Sequence, residues 1–148
     1  MKLVLALGSN IGDRNNYLEN AIAEISKFVT SITVSSFWET EPVGGPEQGA
    51  YLNAILICDC NLQPKEVLAK TQEIERMFGR ERSIHWGPRT LDIDLIQFGD
   101  LQISSQTLTL PHPLAHQRKF VLGPWFEIDP EAELIGKGSV AELLALIN

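Results

Sequence analysis

Long apolar stretches are absent from this chain of 148 residues. The first apolar run, Leu3 to Leu7, stops at Gly8, well short of the roughly 20 apolar residues that cross a bilayer. It is also too short for the apolar core of a secretory signal. Hydrophobic residues still make up 44% of the sequence, which is enough for a buried core. We therefore expect one folded domain, residues 1–148, without membrane contact.

Cysteine is scarce as well, since only Cys58 and Cys60 occur. They stand at i and i+2 in a stretch typical of a strand, so their Cβ atoms point the same way, which is poor geometry for a disulfide. No further cysteine is available for a cysteine-rich zinc site. Both are predicted to be reduced core residues of a cytoplasmic protein.

Positive charge is in short supply. Lys and Arg total 12 against 19 Asp and Glu, a formal net charge of −7. That balance argues against binding to nucleic acid or to an anionic membrane, both of which favour a basic surface. It does not exclude a small phosphorylated substrate, because arginines can cluster locally, as they do at Arg76, Arg80, Arg82 and Arg89.

The usual phosphate-binding loops are missing too. The chain has no G-x-x-x-x-G-K-[ST], no G-x-G-x-x-G and no protein-kinase signature. The stretch from Gly8 to Gly12 precedes a helical pattern and could hold an anion, but a plain turn is the favoured interpretation. A nucleotide would therefore be held by side chains rather than by a glycine-rich backbone.

Hydrophobic periodicity predicts the order β-α-β-β-α-β. The strands are expected at 2–7, 32–38, 51–60 and 91–98. One helix carries an apolar stripe from Leu18 to Phe28, and another runs from Pro64 to Gly79. This order predicts an α+β fold with a ferredoxin-like core, to which the segment after Leu101 adds short strands and helices. A last helix is predicted after Ser139, which with Glu142 has the spacing of a capping box.

The stretch "HWGPRTLDIDLIQFGD" places two carboxylates inside a strand. Asp92 and Asp94 share one face of that strand, because side chains alternate between faces. A solvated edge with salt bridges would account for them. Oxygen ligands on a rigid strand also suit Mg²⁺, with substrate phosphates completing the shell and arginines neutralising the remaining charge. The counter-charge is thus a metal ion, an arginine, or both.

Two further segments carry candidate binding residues. In "LPHPLAHQRKF", His112 stands between two prolines and Arg118 follows six residues later, so together with the arginines before Asp92 they could bracket a polyphosphate. In "TEPVGGPEQGAYLNA", Tyr51 and Asn53 share a strand face, and an aromatic ring with a carboxamide suits a flat heterocycle. For each pair alone, an ordinary structural role is the simpler explanation.

Taken together and in order, "GSNIGD", "TEPVGGPEQGAYLNA", "HWGPRTLDIDLIQFGD" and "LPHP…R…FVL" resemble the 6-hydroxymethyl-7,8-dihydropterin pyrophosphokinases of folate biosynthesis. The resemblance extends to about Pro130, and W-G-P-R-x-L-D-x-D is its most specific motif. It implies transfer of the pyrophosphoryl group of ATP to the hydroxymethyl oxygen of the pterin, with release of AMP by a monomeric enzyme.

The resemblance also implies a role for each matching residue. Asp92 and Asp94 would hold two Mg²⁺ ions bound with ATP, and Arg80 and Arg89 would assist the transfer. The ATP side would comprise Gln72, Glu75, Arg82, Thr109, His112 and Arg118. The pterin pocket would comprise Thr40, Val43, Tyr51, Asn53, Trp86 and Phe120, with Tyr51 and Phe120 on either side of the ring.

Two other classes of protein fit parts of the pattern. One is a non-catalytic ligand-binding module, although such a module has no need of two carboxylates beside several arginines. The other is a metal-dependent nuclease or nucleotidyltransferase that uses the same aspartates, and the net charge of −7 weakens that alternative.

Overall fold

Strand β1, Lys2–Ser9, runs through the centre of the main sheet in the computed structural model, which describes residues 1–41, 50–79 and 91–147. It pairs antiparallel with β4, Tyr51–Asp59, on one side and with β5, Asp92–Phe98, on the other. Beyond β4 lies β2, Thr30–Val34, which gives the order β2-β4-β1-β5. The four strands expected from the sequence thus contribute to one sheet, whose pairings are antiparallel.

The expected strand at 32–38 is wrong as a continuous element. The structure divides it into β2 and a separate short strand β3, Trp38–Thr40, which pairs with the first residues of β4. Ser35 interrupts the ladder, because its hydroxyl oxygen accepts the hydrogen bond from Ile55 N at 2.9 Å while its own N–H donates to Ile55 O. A serine side chain that substitutes for a backbone acceptor is local competition with regular pairing.

Helices cover both faces of the sheet. On one face α1, Arg14–Ile25, and α2, Pro64–Met77, bury their apolar stripes against the leucines of β1. On the other face α3, Lys119–Ile128, and α4, Val140–Ile147, pack on Val4, Ile55 and neighbouring apolar side chains. The sequence therefore builds two apolar layers, one on each side of a sheet whose central strands are apolar on both faces.

The ends of the helices follow the local signals in the sequence. Asp13 caps α1 by accepting from Asn16 N at 3.2 Å, and Ser139 accepts from Glu142 N at 3.1 Å at the start of α4, as its spacing predicted. Pro64 opens α2, where its missing N–H costs nothing. Both cysteines are free and buried, as expected.

Helix α3 has no counterpart in the sequence-based element order, because Gly123 and Pro124 lie inside it and both disfavour helix interiors. Tertiary packing compensates: Val121, Leu122 and Trp125 are at most 1% exposed. The remaining elements are two small hairpins, β6 with β7 (Ile103–Ser104 and Thr109–Leu110) and β8 with β9 (Glu133–Leu134 and Gly138–Ser139). Over the described ranges, every helix is too short or too polar to cross a membrane.

We expect Leu18→Ala to lower the free energy of unfolding by about 3 kcal/mol, because Leu18 is fully buried in α1 and its truncation leaves a cavity. Leu146→Ala is the matched control, since Leu146 is 81% exposed, and it should change that free energy by less than about 0.5 kcal/mol. Chemical denaturation of both variants measures the difference. Equal effects would show that α1 does not anchor the core.

Candidate active site

One row of residues crosses the sheet from β3 to β5. Trp38 lies opposite Asn53, Asn53 opposite Gly8, and Gly8 opposite Asp92. Directly paired residues of neighbouring strands point to the same face. Since adjacent strands are about 4.8 Å apart, Asn53 and Asp92 are separated by roughly 10 Å of sheet with Gly8 between them.

The neighbouring positions extend this shared face. Thr40 pairs with Tyr51 on one side, and Ala6 pairs with Asp94 on the other. The residues expected to bind a heterocycle and those expected to bind a metal are therefore on the same face of the sheet, although one group precedes the other by some forty positions. Helices α3 and α4 pack on the other end of this face, where Val4 and Ile57 lie.

Gly8 forms the floor between these two groups. A Cβ atom at Gly8 would lie 3.1 Å from Asn53 Oδ1, which is a tight contact, and 3.5 Å from Tyr51 Cδ1, which is an ordinary one, so a side chain there would press on the Asn53 carboxamide. Gly8 belongs to β1 rather than to the turn that the sequence favoured. A glycine inside a strand often marks a close approach by another group, but the sequence analysis ended the strand at Leu7, so this signal became readable only once the structure placed Gly8 in β1.

The aspartates are half-buried, and Arg118 is a charged neighbour of Asp94. Arg118 Nη1 is 4.0 Å from Asp94 Oδ2, with the two side chains 20% and 35% exposed. At that distance and exposure the pair contributes little stability. Arg118 also places its guanidinium carbon 5.4 Å from the centre of the Phe120 ring, within the range of a cation–π contact. Arg118 therefore connects Asp94 to the start of α3.

Glu75 of α2 makes a hydrogen bond to the strand that carries the aspartates. It is 2% exposed, and its Oε2 accepts a hydrogen bond of 2.8 Å from the backbone N–H of Ile93, the residue between Asp92 and Asp94. Breaking a buried hydrogen bond would leave its polar groups unsatisfied, so this bond holds Ile93 in place. Helix α2 thus sets the position of the Asp-x-Asp segment, and Gln72 lies half-buried on the same helix.

His112 lies against the outer strand of the sheet. Its backbone N–H donates to Ile96 O at 2.8 Å, and its Nδ1 accepts from Leu114 N at 3.2 Å. Burial, and to a smaller extent the positive charge of Arg118, together lower the pKa of His112 to about 4, against an opposing effect of Asp92. The imidazole is therefore neutral at pH 7 with its proton on Nε2, where it can donate a hydrogen bond to an anionic oxygen.

A cleft of about 280 Å³ opens beside β5. Asp94, Thr109 and His112 line it together with Leu68 of α2 and Thr107 of the loop between β6 and β7. Three residues predicted for the metal and ATP side are thus brought to one cavity.

Of the residues predicted for the pterin side, Thr40, Tyr51 and Asn53 lie together on β3 and β4. Asn53 Nδ2 donates a hydrogen bond to Thr40 Oγ1, Tyr51 is half-buried at the start of β4, and Phe120 is half-buried at the start of α3. Five sequence-predicted residues lie outside the described residues: Val43, Arg80, Arg82, Trp86 and Arg89.

Comparisons with known proteins agree on one family. Residues 4–130 match the family model described as 7,8-dihydro-6-hydroxymethylpterin-pyrophosphokinase (HPPK). A 2-amino-4-hydroxy-6-hydroxymethyldihydropteridine pyrophosphokinase of Bacillus subtilis is 44% identical over 131 residues, covering 87% of this chain and 78% of its own. The protein of that name from Mycobacterium tuberculosis H37Rv is 43% identical over 157 residues, covering 97% and 82%.

Solved structures give the same architecture. The wild-type HPPK-DHPS of Plasmodium falciparum superposes with a TM-score of 0.77 at 14% identity, over 98% of this chain and 44% of that one. This chain thus spans less than half the length of that protein, and the likeness concerns the fold alone. From the family match over most of its length and from relatives above 40% identity, the chain belongs to the 7,8-dihydro-6-hydroxymethylpterin-pyrophosphokinase family, the ATP-dependent pyrophosphokinases of folate biosynthesis.

Proposed function

We propose that this chain binds 6-hydroxymethyl-7,8-dihydropterin and ATP side by side on one sheet face and joins them across Gly8. The hydroxymethyl oxygen attacks the β-phosphorus of ATP, the bond from that phosphorus to the oxygen of the α-phosphate breaks, and AMP leaves while the hydroxyl proton is lost. The observation that supports this most is the row from Asn53 through Gly8 to Asp92. It offers a polar edge for a heterocycle and carboxylates for a metal–phosphate group, about two strand spacings apart.

Asp92 and Asp94 are the proposed magnesium ligands. Two half-exposed carboxylate side chains on one face of a strand match the hard oxygen donors that Mg²⁺ prefers. Two carboxylates fill only part of an octahedral shell, so oxygens of the triphosphate would supply other positions. When bound, two Mg²⁺ ions would neutralise the charge of the triphosphate and hold it in line with the acceptor.

The ATP side is proposed to include Gln72, Glu75, Thr109, His112 and Arg118. Arg118 supplies a fixed positive charge, and the neutral imidazole of His112 supplies a donor that needs no proton from solvent. Glu75 acts on this side by holding β5, which places both aspartates. Arg80, Arg82 and Arg89, which precede β5 in the chain, are proposed to neutralise the phosphates during transfer.

The pterin side is proposed to include Thr40, Tyr51, Asn53 and Phe120, with Val43 and Trp86. The bond from Asn53 Nδ2 to Thr40 Oγ1 leaves Asn53 Oδ1 over Gly8, where it can accept a hydrogen bond from a heterocycle. An aromatic ring on each side of a flat ligand is the arrangement we propose for Tyr51 and Phe120.

The antiparallel order β2-β4-β1-β5 supports a ferredoxin-like core, which we propose for a single catalytic domain at 1–148. A monomeric state and a cytoplasmic location stay predictions of the sequence. The two other classes considered from the sequence, a binding module and a nuclease, are not favoured by any contact or comparison.

The function is tested by incubating the protein with ATP, Mg²⁺ and 6-hydroxymethyl-7,8-dihydropterin and resolving the adenine nucleotides. AMP should form in amounts equal to the pyrophosphorylated pterin, and only when the pterin is present. ADP in place of AMP would indicate an ordinary kinase, and no turnover would indicate a binding protein.

Asp92→Asn and Asp94→Asn should each reduce turnover at least about a hundredfold, about 2.7 kcal/mol of barrier, while thermal stability is kept. Asparagine is nearly isosteric but removes the anionic ligand, and removing it misplaces charge that stabilises the transition state. Asp100→Asn is the matched control, because Asp100 is exposed in the turn after β5. AMP production should be measured over a Mg²⁺ titration. Normal turnover in the first two variants would rule out the metal role.

The His112 imidazole should stay neutral down to about pH 5 in the ligand-free protein, because burial and Arg118 lower its pKa to about 4. An unfolded chain binds this proton near pH 6.5, so His112 should reduce stability as the pH falls from about 6.5 toward 4. Proton NMR titration checks this, with His112→Gln identifying the resonance. A His112 signal that titrates at pH 6.5 or above would contradict the half-buried, neutral donor.

A further inference from the structure

The carboxylate of Glu127 lies outside the proposed site and links α3 to β3, the strand that carries Thr40. Glu127 Oε2 accepts a hydrogen bond from Ser36 N at 2.7 Å, and its Oε1 accepts from Ser36 Oγ at 2.6 Å and from Trp38 Nε1 at 2.8 Å. Trp38 and Ser36 lie 89 and 91 residues before Glu127 in the chain. Both oxygens of one side chain are thus engaged by the segment that enters β3.

This contact is stronger than an ordinary surface hydrogen bond. Glu127 is exposed, yet the hydroxyl of Ser36, the backbone N–H of Ser36 and the indole N–H of Trp38 together lower its pKa. Bonds from neutral donors to an ionised carboxylate are short and strong. The carboxylate also satisfies the backbone N–H of Ser36 in the interruption between β2 and β3.

Trp38 makes a second contact with α3, at Gly123. A Cβ atom on Gly123 would lie 2.6 Å and 2.7 Å from the Cζ3 and Cη2 atoms of Trp38, so the indole ring lies directly on the backbone of α3. A glycine inside a helix costs about 1 kcal/mol relative to alanine, and this approach explains its presence. Helix α3 thus holds Trp38 at two points, the ring at Gly123 and the N–H at Glu127.

Trp38 in turn sets the position of the pterin residues. It lies opposite Asn53, and two residues later Thr40 lies opposite Tyr51. Thr40 Oγ1 accepts from Asn53 Nδ2, which orients the carboxamide. Helix α3, at the other end of this chain of contacts, carries Phe120 in its first turn. Glu127 therefore joins β3, which carries Thr40, to α3, which carries Phe120, and both of these residues belong to the proposed pterin side.

We propose that Glu127 is a positioning residue of the pterin subsite: by holding Ser36 and Trp38 against α3, it fixes β3 so that Thr40 keeps the Asn53 carboxamide aligned for the heterocycle. This inference rests on the proposed function. In this proposal Glu127 does not contact substrate. It also takes no part in binding the triphosphate, because the residues proposed for that task, Asp92, Asp94 and His112, lie on β5 and on the segment packed against β5, away from β3. A small misalignment of a binding group is costly because productive geometry is narrow.

The test compares Glu127→Ala, Glu127→Gln and Glu131→Ala with the wild-type enzyme. Glu131 is an exposed glutamate three residues beyond the end of α3, which makes it a matched control. Calorimetry should give a Kd for the pterin at least about tenfold weaker in Glu127→Ala, a Kd for MgATP within about twofold of wild type, and no change in Glu131→Ala. Glu127→Gln keeps one acceptor oxygen and should fall between wild type and Glu127→Ala.

A double-mutant cycle with Asn53→Ala tests whether Glu127 aligns the Asn53 carboxamide or only stabilises the fold. If Glu127 acts through Asn53, Glu127→Ala should weaken pterin binding less than about twofold further when Asn53 is already alanine, because contacting or coupled residues are not additive. Full additivity in the cycle would overturn the proposal. So would equal losses for pterin and MgATP accompanied by a lowered Tm, which a merely structural brace would produce.

The same experiment distinguishes this inference from the proposed function. A wild-type protein that binds no pterin would refute the function itself. A wild-type protein that binds and converts the pterin, with unchanged pterin affinity in Glu127→Ala, would refute only the role of Glu127. If Glu127→Ala does not fold, Glu127→Gln carries the test, and a pterin Kd within about twofold of wild type would then overturn the proposal.

Discussion

The register of β1 against its two neighbours governs the whole site. Gly8 faces Asn53 on β4 and Asp92 on β5, so the register of one strand brings the amide proposed to bind the heterocycle and the carboxylate proposed to bind a metal to one face. A slip of one residue in either ladder would turn one group to the opposite face. The leucines of β1 prevent such a slip, because the same shift would remove them from the core that they share with α1 and α2.

The two pairs of helices pack on opposite faces of the sheet, and only one of these faces carries the proposed site. Helices α1 and α2 pack on the face without the site, and α2 reaches around the edge of the sheet with Glu75, whose carboxylate holds Ile93 N. Helices α3 and α4 pack on the other face beside Val4, and the first turn of α3 carries Phe120, which is proposed to bind the pterin. One rigid sheet thus presents a polar surface with packed layers around it, which keeps binding groups in place more reliably than a loop would.

An acidic chain can bind an anionic nucleotide because charge acts locally. The formal net charge is −7, yet Arg118 stands beside Asp94 and the burial of His112 keeps its imidazole neutral. A neutral donor favours a phosphate oxygen without adding a charge that the nearby arginine would repel. The remaining positive charge in the proposed function arrives with Mg²⁺ and with the arginines before β5, so ligand and counter-charge enter the site together.

The sequence by itself determined the order of the main elements, the shared face of Asp92 and Asp94, and the family, because periodicity and short motifs are local properties. Only the tertiary structure decided the interruption at Ser35, the role of Gly8 as a floor, and the helix that contains Gly123 and Pro124. Each of those features depends on which other segment packs against it. Strand register and packing bring together residues that are far apart in the chain, and no local sequence pattern relates such residues. The same reason applies to Glu127, whose partners precede it by about ninety residues: its spacing predicted nothing, and the approach of α3 to β3 created its contacts.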